Sequence, residues 1–363
     1  MRISVNKNSM KNKNIIILII IALAIIAALL YFLNTDDKAE IKPTPSAINV
    51  SSLPRASIQS KQVNKFEVGQ DSYGLTSSGD FAYFINKDNA LVRTNLANDS
   101  SEIIMSVTLP DNFKVNTFAV SNNNKFLLIN AFNNSNQIKR FMLNIEGKRI
   151  SAIPPLSDVV WGSGNVLIEI FYGSNNKYEL VKYDVENNKS LDKFSLKGDN
   201  FMSLLGYDVA ADVAYILMSF DDSQVSTGNI VAVNLKSRQE STVVDNLSPS
   251  DIFYKDDWIY YLNEDGIFRL GRKNNYTSQR IISSVLIPPI TLSYCDAIDV
   301  RVYCVAKYGD LDTRLVEIKD GENPRPLERY RSGFIKQVKV LSNNPPRVSL
   351  TGENNIIEIL QID

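Results

Sequence analysis

Beyond residue 33 the chain alternates apolar and polar positions with the two-residue period of β-strands. No stretch there carries the three-to-four spacing of an amphipathic helix. The apolar bursts come in pairs. In "DDWIYYLNEDGIFRL" (256–270), one run from Trp258 to Leu262 reaches Asn263-Glu264-Asp265-Gly266, and a second runs from Ile267 to Leu270. Asp-Gly between two β-prone runs predicts a hairpin, because Gly supplies the positive φ that such a turn needs.

The same hairpin recurs. Its second run returns as "ALVRTNL" (90–96), "QIKRFMLN" (137–144), "YELVKYDV" (178–185) and "NIVAVNL" (229–235). Further copies are "GIFRLGR" (266–272), "TRLVEIK" (313–319) and "NIIEILQ" (355–361). Copies lie about 44 residues apart on average, the spacing of propeller blades. Each is preceded by its own apolar strand, such as "FAYFIN", "VAYILMSF" or "RVYCVAK", with turn formers between the two. Most units add a third strand upstream ("VNTFAVS", "LSDVVWG", "SDIFYK", "LSYCDA") and a fourth downstream ("SEIIMSVTL", "QESTVVDNL"). Seven units of four short strands predict an all-β, seven-bladed β-propeller, with six blades and a loose end as the alternative count. After "IIEILQID" the chain stops at Asp363, which leaves unit seven one strand short. "KQVNKFEVG" (61–69) has strand character and no unit of its own, so it is expected to supply that strand and cover the open edge.

"FAVSNNNKFLLIN" (118–130) resembles the "SPDGKxLAF" core of TolB-like and WD40-like propeller repeats, with Asn-rich residues in place of Pro-Asp-Gly. "DDWIYYLNEDGIFRLGRKNN" (256–275) is similar to repeats related to the propellers of lipoprotein-receptor type. The resemblance is one of repeats. It implies the fold and leaves function open, because propellers host many unrelated functions.

The N-terminus has a different pattern. Ile15 to Leu33 is uncharged and apolar throughout. Its nineteen residues, at about 1.5 Å each, just cross a hydrocarbon core of about 30 Å. Arg2, Lys7, Lys11 and Lys13 precede it; Asp36 and Asp37 follow. This predicts a short basic cytoplasmic tail (1–14), an uncleaved signal-anchor helix (15–33) and a polar linker with Pro43, Pro45 and Pro54 (34–60). The propeller (61–363) then lies outside the cell or in the periplasm. A cleaved signal peptide is the rival, disfavoured by the length of the run and the lack of a small-x-small site after it. Cys295 and Cys304, in "LSYCDAIDVRVYC", face each other if that segment is a hairpin, as a disulfide in an oxidising compartment or as two buried thiols.

Composition narrows the chemistry. The chain has no histidine, which removes Ser-His-Asp triads, histidine bases and His-ligated metals together. A net charge of −1 with no basic run outside the N-terminus argues against a nucleic-acid partner. The candidate catalytic carboxylates are Asp158, Asp208, Asp251 and Asp296, in or near the innermost strands of units three to six. Such acids also simply line a water-filled channel. Oxygen ligands in "GDLDT" (309–313), chiefly Asp310 and Asp312, and in "NEDG" (263–266) suit a hard cation, although hairpin turns favour the same residues for backbone reasons. Trp161, Tyr172, Trp258, Tyr260 and Tyr261 are candidates for a stacking surface or for packing between blades. No cofactor is expected. The expected role is a membrane-anchored, non-enzymatic binding or scaffolding module for another envelope protein, a peptide or a glycan. The alternative is an envelope polysaccharide hydrolase or lyase using the inner-strand carboxylates.

Overall fold

The computed structural model describes residues 60–68, 75–153, 158–173, 177–197, 201–219, 227–283, 291–308, 312–320, 322, 324–326, 335–343, 345–352 and 355–362. The basic tail, the apolar run 15–33 and all of the linker but Ser60 lie outside these residues, as does Asp310. Among the described residues no helix is long and apolar enough to cross a membrane.

The strands form seven four-stranded antiparallel sheets. β1 (Ser60–Glu67) stands alone at the start of the described chain. Blade 1 is β2 (Thr76–Ser78), β3 (Phe81–Ile85), β4 (Ala90–Asn95) and β5 (Ser101–Ser106). Blade 2 is β6 (Lys114–Val120), β7 (Phe126–Phe132), β8 (Ile138–Asn144) and β9 (Arg149–Ile153). Blade 3 is β10 (Asp158–Trp161), β11 (Val166–Tyr172), β12 (Tyr178–Asp184) and β13 (Lys189–Ser195). Blade 4 is β14 (Phe201–Asp208), β15 (Val213–Ser219), β16 (Gly228–Asn234) and β17 (Gln239–Leu247). Blade 5 is β18 (Asp251–Lys255), β19 (Trp258–Asn263), β20 (Gly266–Leu270) and β21 (Gln279–Ser283). Blade 6 is β22 (Thr291–Ile298), β23 (Arg301–Tyr308), β24 (Asp312–Lys319) and β25 (Arg325–Pro326). Blade 7 is β26 (Ile335–Asn343), β27 (Pro346–Gly352) and β28 (Ile356–Ile362), completed by β1.

That completion is the closure expected from the orphan segment. β1 pairs antiparallel with β28, from Ser60 opposite Ile362 to Glu67 opposite Ile356, so the two ends of the domain share one blade. Arg347 on β27 adds a side-chain tie to blade 1, reaching Asp99 at 2.5 Å and the Leu96 carbonyl.

The second strand of each blade is a nearly unbroken apolar run because both of its faces meet a neighbouring blade. Ala82 to Ile85 in β3 and Val213 to Ile216 in β15 are buried at every position. Fourth strands such as β5 and β13 are largely exposed. The core is therefore divided among the blade interfaces. Separate apolar clusters join blades 2 and 3, 3 and 4, 4 and 5, 5 and 6, and 6 and 7, while one larger cluster spans blades 7, 1 and 2.

The opening hairpin has the predicted form. Asn263 pairs with Gly266 around a two-residue loop, with Gly266 at φ 137°. Elsewhere Asn and Asp take the left-handed positions, among them Asn89, Asn124, Asp212 and Asp299. Their short polar side chains tolerate that conformation better than other non-glycine residues.

Candidate inner-ring pocket

The first strands of the blades line the axis. β2 lies against β6, β10 against β14, β14 against β18, and β18 and β26 against β22 on either side. A repeated hydrogen bond joins these neighbours. Thr76 Oγ1 accepts the Val120 N–H at 3.3 Å, and Asp158 Oδ2 accepts the Leu204 N–H at 3.3 Å. Asp251 Oδ2 accepts the Cys295 N–H at 3.4 Å, and Asp296 Oδ2 accepts the Val340 N–H at 2.8 Å. In each case a side chain on one inner strand satisfies a backbone donor about one repeat further along the chain.

This pattern places the four candidate carboxylates. Asp158, Asp251 and Asp296 sit at similar levels of the inner ring, in blades 3, 5 and 6, each tied to the next blade. Asp208 is separate. It ends β14, is almost fully buried, and accepts from the Ala211 N–H at 2.9 Å and Arg272 Nε at 3.1 Å. Asp251 and Asp296 line one cavity together.

That cavity, of about 600 Å³, lies between the inner strands of blades 5, 6 and 7. Lys255 Nζ bridges Asp296 Oδ2 at 3.3 Å and the Val340 carbonyl at 3.2 Å. Burial pushes the Asp251 carboxyl above its ordinary range, against the pull of the Cys295 and Ile252 amides. From β26 come Gln337 and Lys339. Burial lowers the Lys339 ammonium below the usual lysine value, with Asp296 opposing the shift and Lys255 adding to it. Among the described residues Lys339 makes no hydrogen bond or ion pair, and Gln337 Oε1 is a buried acceptor without a donor.

A bulge shapes the wall formed by β22. Ser293 pairs with Val305 and Asp296 with Tyr303, so Tyr294 and Cys295 together oppose Cys304. Cys295 is disulfide-bonded to Cys304, which clamps the bulge onto β23. Tyr294 stands at φ 50°, an uncommon position for a bulky side chain, and is 56% exposed.

The remaining candidates divide. Trp161 Nε1 donates to the Ala119 carbonyl at 3.0 Å across blades 2 and 3, and Trp258 packs under the Arg269 guanidinium at 4.2 Å. Tyr260 and Tyr261 are buried, their hydroxyls bonded to the Asp299 carbonyl and to Ser278. Tyr172 alone of these five is largely exposed. Asp265 and Asn263 make a local turn in which Asn263 Oδ1 accepts the Asp265 N–H. Asp312 opens β24 opposite Tyr308, and no cluster of three metal-ligating side chains occurs among the described residues.

Sequence reasoning passed over Lys255, Tyr294, Gln337 and Lys339. One signal was present: "KQVKV" (336–340) alternates Gln337 and Lys339 with Val338 and Val340 at a period of two, on a strand that leads a blade.

No family model matches the sequence, and neither does any curated protein. Solved structures do match. The β-propeller domain of the trilobed protease from Pyrococcus furiosus aligns with a TM-score of 0.54 at 14% identity, covering 80% of this chain and 90% of that one. A prolyl endopeptidase aligns with a TM-score of 0.58 at 8% identity, covering 83% of this chain but only 50% of that longer one. The WD40 repeats of RRP9 align with a TM-score of 0.52 at 12% identity, covering 85% and 98%. These likenesses are likenesses of fold. They agree with the repeat-level resemblance to WD40-like propellers.

Proposed function

We propose that this chain is a membrane-anchored, extracytoplasmic propeller that binds other molecules without transforming them, its main partner being another envelope protein. One observation carries this reading. Each acid that a catalytic role would use is engaged in holding the ring together: Asp158, Asp251 and Asp296 through the next blade's backbone, and Asp208 through Arg272. A general acid or nucleophile needs its carboxyl aimed at substrate. These four serve as fasteners of a rigid platform. The apolar run 15–33 and its basic flank support the anchor and the orientation, and the Cys295–Cys304 bond agrees with an oxidising compartment. A chain of the mitotic checkpoint complex, which shares the fold, illustrates a propeller working inside an assembly.

The test is in-cell photo-crosslinking of the full chain, with the crosslinker placed at exposed Tyr172 or Ile138. Discrete protein adducts are expected from intact cells. The reading is overturned if no adduct forms and the purified chain cleaves a wall polysaccharide. In that case activity would be lost in Asp251→Asn and Asp296→Asn while thermal stability is retained.

A further inference from the structure

The blade 5–7 cavity has a polar lining that its own residues do not balance. Asp251 and Asp296 are bonded to backbone amides, and Lys255 is held by Asp296 and the Val340 carbonyl. Among the described residues the lining also holds an ammonium donor without a hydrogen bond, Lys339, and a buried acceptor without a donor, Gln337 Oε1. β26 is regularly paired between them, Gln337 opposite Thr351 and Lys339 opposite Ser349, so both side chains leave the strand on the same face. An acceptor buried without a donor is costly, and among the described residues Lys339 has as its opposite charge only Asp296, which is already bonded to Lys255 and the Val340 amide, so both favour a ligand that answers them together. Tyr294, held exposed on its clamped bulge, adds an aromatic face to the same cavity.

The charge inventory selects the ligand. Two carboxylates and two ammoniums make the lining formally neutral, so a phosphate-like dianion meets repulsion from Asp251 and Asp296. A cation finds both acids already bonded and Lys339 nearby. A single carboxylate beside a neutral N–H fits both unpartnered groups: the anion on Lys339, the N–H on Gln337 Oε1. That combination is the last residue of a peptide. A free amino acid offers an ammonium instead, which must be desolvated beside Lys339. The volume falls within the roughly 300–1,000 Å³ of small-ligand sites.

We propose that this pocket captures a short peptide by its free C-terminal carboxylate. Lys339 holds the carboxylate, Gln337 turns its buried Oε1 toward the cavity to accept the final peptide N–H, and Tyr294 stacks on the terminal side chain. The pocket stands apart from the scaffold reading. A protein partner recruited through Tyr172 or Ile138 is unaffected if no peptide binds here, and the reverse also holds.

The probes are acetyl-Ala-Ala-Phe with a free carboxylate, the same peptide as its C-terminal amide, and free phenylalanine, titrated calorimetrically into the full-length chain. The acid is expected to bind about tenfold or more tighter than either of the others, the size of one lost charge-assisted contact. Lys339→Met, which keeps the stem, is expected to bring acid and amide to equal affinity. Tyr294→Ala, at an exposed position, is expected to weaken both peptides alike. The proposal is overturned if the unaltered chain binds acid and amide equally or binds neither, an outcome independent of how any variant folds. It is equally overturned if a folded Lys339→Met retains the preference for the acid.

Discussion

Blades 2 and 3 meet through polar side chains paired across the interface: Asn122 donates to the Gly162 carbonyl, Asn123 to Asn165 Oδ1, and Trp161 to the Ala119 carbonyl. Blades 5 to 7 use the same device in Asp251 and Asp296, yet keep Gln337 Oε1 without a donor and, among the described residues, Lys339 without a hydrogen bond, and hold Tyr294 on a bulge. The blades share one strand order, so the difference lies in a few side chains and in the bulge that carries Tyr294. A propeller joins its blades with one set of inner-ring residues and exposes a binding site where a few others are left over. Uncompensated groups and unfavourable dihedrals are what a site retains when selection is not for stability alone.

The largest effect expected from breaking this comparison follows Asp296→Ala. It orphans the Val340 N–H and leaves Lys255 beside Lys339 without its carboxylate, and is expected to cost about 3 kcal/mol in urea unfolding. Replacing both cysteines by alanine is expected to cost about 2–3 kcal/mol, from a crosslink closing a short loop. Because the bulge loses its clamp, that double variant should also weaken peptide binding in the calorimeter. The neutral ties sharpen the contrast: Thr76→Val and Trp161→Phe each remove one hydrogen bond and are expected to cost about 1 kcal/mol, leaving the pocket unaltered.

The smallest effect is a slope. The folded Lys339 releases its proton below the ordinary lysine value of 10.5, so between the two values the unfolded chain binds more protons. Stability from this group therefore rises as pH climbs toward 10.5 and is unfavourable below the folded value. Lys339→Met is expected to flatten that slope, read as the difference between the two unfolding curves across alkaline pH.

Much of the architecture was legible from local rules. The hairpin at Asn263–Gly266, the apolar second strands and the Asn and Asp turns are set by residues within a few positions of one another. Their recurrence revealed the repeat, and the unpaired strand character of "KQVNKFEVG" pointed to the closing partner of β28. The four aspartates were legible as inner-strand residues but not as fasteners. An Asp at position 296 looks the same in sequence whether it aims at a substrate or at the amide of Val340.

The sequence by itself thus favoured seven blades over six and pointed to their strand order and the way the ring closes, because period-two burial and turn chemistry act over a few residues and repeat. The tertiary structure alone decided which polar groups are satisfied. Those partners lie a full repeat away on the neighbouring inner strand, and a carboxylate's role depends on what that neighbour presents. Lys339 and Gln337 become a candidate site only once Asp251, Asp296 and Lys255 are seen to be bonded elsewhere.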